Sequence, residues 1–80
     1  MARPALAASR AIDILNFLAS RPDETFSLSE LARRTGVNVA STHAIVTTLT
    51  QAGYLARDPD RRSYSLGASV IALGAAAIGA

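Results

Sequence analysis

Over residues 5–19 the apolar positions Ala11, Ile14, Leu15 and Leu18 recur at the spacing of one helical face, which predicts a first helix. SRPDET, residues 20–25, places Pro22 in a polar cluster and ends that helix. Ser27 then stands three residues ahead of Glu30 at the head of a new apolar pattern. This is a capping box: the Ser side chain accepts from the first turn while Glu30 reaches back to the residue-27 amide. The second helix follows over residues 28–35 with Leu28, Leu31 and Ala32 inward, and Gly36 suits the left-handed conformation that closes a helix. Asn38 caps a third helix, residues 39–52, whose stripe of Thr42, Ile45, Val46 and Leu49 faces the core before Gly53 closes it. Residues 54–57 and 63–66 have period-two character around DPDRR. Residues 58–61 fit a type I turn, with Pro59 preset and Asp58 able to bond the backbone ahead, so the pair reads as a hairpin. The uncharged tail continues in a helical pattern with no capping signal beyond it.

The order is helix, helix, tight turn, helix, hairpin, helix. Two helices joined by a short Gly-containing turn make a helix-turn-helix, and a hairpin after the second makes it winged. The expected fold is mainly α with a small β-hairpin, a winged helix-turn-helix. Ala32 is small where the two helices approach, and Val37 and Ile45 are apolar where the unit closes on itself. Residues 1–67 form the expected domain, and residues 68–80 the start of a C-terminal linker helix.

Five stretches in this order carry a family resemblance. They are RAIDIL (10–15), LSELARRTGV (28–37), Ser41 and His43 with Thr48-Leu49, AGYLARDPDRRSYSLG (52–67), and the Leu73-Gly74 pair. The chain resembles the DNA-binding domain of the IclR-type transcriptional regulators from about Arg10 to Gly74. The resemblance implies a homodimer or higher homo-oligomer on a double-stranded DNA operator upstream of catabolic or other metabolic genes. It also implies a connecting helix, here from Ala68, leading to a C-terminal domain that senses a small-molecule effector and is absent from this sequence. Three positions depart from the family pattern. Ala44 stands where an Arg commonly follows the helix-three His, Val39 where a polar or basic residue is frequent, and Thr42 where an apolar one is. These departures leave DNA binding as the expectation but make any borrowed operator sequence unsafe.

Composition narrows the chemistry. Eighty residues allow one modest core. All eight basic residues are Arg, against six acidic ones, for a net charge of +2, too small by itself to establish an anionic partner. A Lys-free sequence rich in Ala and Arg suggests a GC-rich bacterial genome. The absence of Cys excludes disulfides and thiolate chemistry. His43 is the only histidine, and Asp58 and Asp60 are accounted for by the turn, so no enzyme, metal or cofactor is expected. The basic start lacks a signal peptide's apolar run, which makes cytoplasmic residence the default. The Ala- and Gly-rich tail falls short of the roughly 20 apolar residues of a membrane span, so no membrane partner is expected.

The third helix has no formal charge. Its expected base-reading set is Asn38, Val39, Ala40, Ser41, His43, Ala44 and Thr47: small, methyl- and hydroxyl-bearing side chains suited to A·T pairs and to shape, with His43 able to bond a base edge or phosphate. Charge for the phosphates must come from its surroundings. Arg33, Arg34, Thr48, Arg57, Arg61 and Arg62 are the expected phosphate contacts, while Arg10 either pairs with Asp13 or touches DNA. Ile12 and Phe17 form a second apolar group on helix one and are the expected dimer contact. The alternative is a winged-helix protein–protein interaction module without DNA binding, whose partner would meet the small apolar area of Val39, Ala40 and Ala44.

Overall fold

Side-chain caps set where the second and third helices begin. The computed structural model describes residue 3 and residues 5–79; the outer bounds of the two expected segments, residues 1 and 80, lie outside the described residues. Its elements are α1 (Leu6–Ala19), α2 (Leu28–Thr35), α3 (Val39–Gln51), β1 (Leu55–Asp58), β2 (Ser63–Leu66) and α4 (Ala68–Ile78). The capping box at α2 is complete: the Glu30 amide donates to Ser27 Oγ at 3.2 Å, and the Ser27 amide donates to Glu30 Oε1 at 3.0 Å. At the other end Gly36 takes φ 73°, and both its N–H and that of Val37 donate to the Ala32 carbonyl. A left-handed residue costs glycine nothing and reverses the chain at once, so only three residues separate α2 from α3.

The two helices and α1 close over a core of Ile14, Leu18, Phe26, Leu31, Val46 and Leu55, with Leu15, Leu28, Ile45 and Leu49 packed around it. Burial of each such side chain contributes roughly 1.5–3 kcal/mol. Thr42 lies fully inside this layer, and its hydroxyl donates to the Asn38 carbonyl at 2.9 Å. A buried hydroxyl with a partner carries little penalty, which explains how Thr serves on the inward stripe of α3.

The hairpin is antiparallel, with Leu55 opposite Leu66, Arg57 opposite Tyr64 and Asp58 opposite Ser63. Phe26, which the sequence pattern left outside any element, is 2% exposed and forms an isolated bridge with Tyr64. The Tyr64 amide donates to the Phe26 carbonyl at 2.8 Å, and the Phe26 amide donates back at 3.2 Å. The α1–α2 connection is thereby stitched to the wing, fixing the hairpin beside α3. The last helix, α4, is followed by Gly79 at φ 81°. No described helix is long and apolar enough to cross a membrane.

Candidate nucleic-acid interface

Asn38 sets where α3 starts. Its Oδ1 accepts from the Ser41 amide at 2.8 Å, leaving the side-chain NH2 without a partner among the described residues at the exposed tip of the helix. Burial of Thr42 and Val46 then fixes the rotation of α3, and Ala40, His43, Ala44, Thr47, Thr48 and Gln51 come out exposed. Val39 is exposed at the first turn, whereas Ser41 is half-buried at the edge of the face.

The outward residues fall on two flanks. Toward the hairpin, His43, Thr47 and Gln51 share an open cleft of about 480 Å³ with Arg57, Arg62 and Tyr64, over a floor that includes Leu28 and Thr50. Among the described residues no carboxylate lines it. Toward α1, Ala44 and Thr48 border an apolar groove with Ala7, Ala8, Ala11, Ile45 and Leu49. Thr48 Oγ1 donates to the Ala44 carbonyl at 3.0 Å, so its one proton is already used by its own helix. Thr47 has no such bond among the described residues. Thr48 was expected at a phosphate, but in this rotamer it has only acceptor capacity to offer.

The wing tip owes its shape to Asp58, whose carboxylate accepts from the Asp60 amide at 3.0 Å and the Arg61 amide at 3.3 Å. Arg62 ends the turn at φ 51°, a left-handed conformation that costs a non-glycine residue on the order of 1 kcal/mol. The turn leaves Arg62 lining the cleft with Arg57, while Arg61 is exposed outside it. The cations of α2 divide. Arg33 is exposed at its C-terminal end, whereas the Arg34 guanidinium sits 5.9 Å from the Phe17 ring centroid and 5.8 Å from that of Phe26. Arg34, expected at a phosphate, is also exposed, and its placement over the aromatic pair leaves its N–H donors unpaired among the described residues. Phe17 and Phe26 themselves meet at 4.8 Å. The expected dimer pair is split in the same way: Phe17 packs against the core, and Ile12 is 56% exposed. Arg10 is half-buried, and the Arg10–Asp13 pair does not form. Among the described residues the one ion pair is Arg21–Glu24 at 4.0 Å, so Arg33, Arg57, Arg61 and Arg62 all keep unpaired guanidinium groups.

Sequence reasoning missed Gln51 and Tyr64. Gln51 stands four residues beyond Thr47 and eight beyond His43, one and two turns further along the same flank, and that spacing was the available signal. Tyr64 is the register partner of Arg57, which no sequence pattern shows before the hairpin register is known.

The IclR helix-turn-helix domain family matches residues 7–59, from the second residue of α1 to the first residue of the wing tip. The chain belongs to the IclR helix-turn-helix family. This is a family of DNA-binding transcriptional regulators, and its solved members share the winged fold. An IclR transcriptional regulator from Alicyclobacillus acidocaldarius is 32% identical over 94% of this chain, with a TM-score of 0.89. Pseudomonas aeruginosa HmgR is 31% identical over 94% of the chain, with a TM-score of 0.78. An IclR family transcriptional regulator from Brucella abortus is 25% identical over 95%, with a TM-score of 0.85. The chain spans 30%, 32% and 28% of the lengths of these three IclR-type proteins. Among curated proteins no sequence matches.

Proposed function

We propose that this IclR-type domain binds an operator in double-stranded DNA with α3 in the major groove and the wing on the adjacent backbone. The observation that carries the reading is the cleft between them. It pairs the outward, uncharged flank of α3 with two unpaired guanidinium groups and no acid. Phosphate contacts supply most of the affinity and need cations, while base reading needs donors, acceptors and methyl groups at a distance that small side chains permit. The division between wing and helix supplies both. Asn38, Val39, Ala40, His43, Ala44 and Thr47 are the proposed base readers, with Ser41 at their margin. Arg33, Arg34, Arg57, Arg61 and Arg62 are the proposed phosphate contacts.

The working unit in this reading is a homodimer in the bacterial cytoplasm, joined through α1 and α4. Its support is the exposed apolar surface of Ile12, Ile71 and Ile78, which are 56%, 75% and 84% exposed. Residues 68–80 serve as the start of a linker to an effector-binding domain, a reading supported by the much greater length of the related regulators. A duplex titration at low and at moderate salt tests the proposal. Binding at low salt that weakens steeply with added salt is expected. Absence of binding even at low salt would overturn it and favour a protein-interaction role for the α3 face.

A further inference from the structure

Helix α4 buries no residue, yet its start is held firmly. Among the described residues, three hydrogen bonds join α4 and its cap to the rest of the fold, and all end on carbonyls just past α3. Ser69 Oγ donates to the Ala52 carbonyl at 3.0 Å, the Ser69 amide to the Gly53 carbonyl at 3.0 Å, and the Gly67 amide to the Tyr54 carbonyl at 2.9 Å. Two glycines permit this approach. Gly53 is left-handed at φ 82°, and a Cβ there would lie 2.5 Å from Ser69 Oγ; a Cβ on Gly67 would run into the Gly53 carbonyl. The negative end of one helix dipole thereby meets the positive start of the next.

We propose that Ser69 is a positioning residue for DNA reading. Its hydroxyl and amide clamp the first turn of α4 to the end of the recognition helix, so that α3 and α4 move as one body. The hydroxyl bond is the component that belongs to the side chain. It spans 17 residues of sequence and is made at an exposed site, where water competes for both partners, so Ser69 contributes to coupling rather than to core stability. This inference rests on the proposed seating of α3 on DNA: a helix fixed in a groove at one end holds whatever is clamped to the other.

Amide hydrogen exchange of the full-length protein, with and without a duplex recovered from a random pool by the wild-type protein, tests it. In the wild type, DNA is expected to slow exchange several-fold both along α3 and in the first turn of α4. In Ser69→Ala the slowing is expected to persist along α3 and to shrink in α4, where the two backbone bonds remain, with Ser69→Thr restoring it because the hydroxyl returns. Unchanged exchange in α1 and α2 of the free variant shows that the fold is intact. DNA-induced slowing in α4 that is as large in Ser69→Ala as in the wild type would overturn the clamp, as would wild-type slowing confined to α3. A wild type that recovers no duplex from the pool would overturn the DNA reading itself, and the clamp's role in it.

Discussion

The hydroxyl of Thr48 donates to the Ala44 carbonyl, whereas that of its neighbour Thr47 faces the cleft with no partner among the described residues. The two threonines differ in what they can offer a nucleic acid although they are adjacent and equally polar. Replacement by Val removes the hydroxyl and keeps the shape. Thr47→Val is therefore expected to change preference at one base position or weaken binding by about 1–3 kcal/mol, the range of one specific contact. Thr48→Val is expected to leave binding nearly unchanged, and a titration of both variants against one selected duplex checks the contrast. Equal weakening by both would show that Thr48 leaves its helix carbonyl on binding. Arg34 has its guanidinium 5.9 and 5.8 Å from two aromatic ring centroids, a placement that residue type alone does not show.

At the scale of elements, the capping box that starts α2 makes a prediction about pH. The backbone and side-chain hydrogen bonds with Ser27, aided by Arg33 and Arg34, hold the Glu30 carboxyl below its ordinary range. A lowered folded-state pKa means that the unfolded chain takes up the proton first. Glu30 thus contributes stability that is fully present above the ordinary carboxylate range and is lost as pH falls through its lowered pKa. Thermal unfolding of wild type and Glu30→Gln from about pH 6 to about pH 3 is expected to show a wild-type advantage that shrinks in acid; a difference independent of pH would contradict the box. This element was legible in the sequence, as were the Gly36 turn, the Asn38 cap and the inward stripe of α3, because each depends on residues within four positions of one another. The bridge between Phe26 and Tyr64 was not legible, nor the packing of Phe17, nor the left-handed Arg62, because these depend on partners brought together only by the closed fold or on a turn geometry that residue type does not specify. The candidate site was legible as a set of arginines around an uncharged helix. Its sorting into Arg57 and Arg62 in the cleft, Arg61 outside it and Arg34 on the rings required the structure.

For the whole molecule, charge and shape are separated. α3 presents neutral side chains, while unpaired arginines stand on α2 and the wing. A net charge of +2 gives little long-range attraction, so the placement of the arginines matters more than their number. The exposed apolar residues of α1 and α4 lie on elements other than the reading helix, which leaves that surface free when two copies associate as proposed. In the proposed function, wing arginines hold the backbone while α3 reads the bases. The most direct measurement of it is the salt dependence of duplex binding for wild type and for the combined Arg57→Ala, Arg61→Ala and Arg62→Ala variant. The variant is expected to bind all sequences more weakly, with the slope of log K against log salt reduced by about 0.9 for each phosphate that it no longer neutralises. A slope equal to that of the wild type would contradict it.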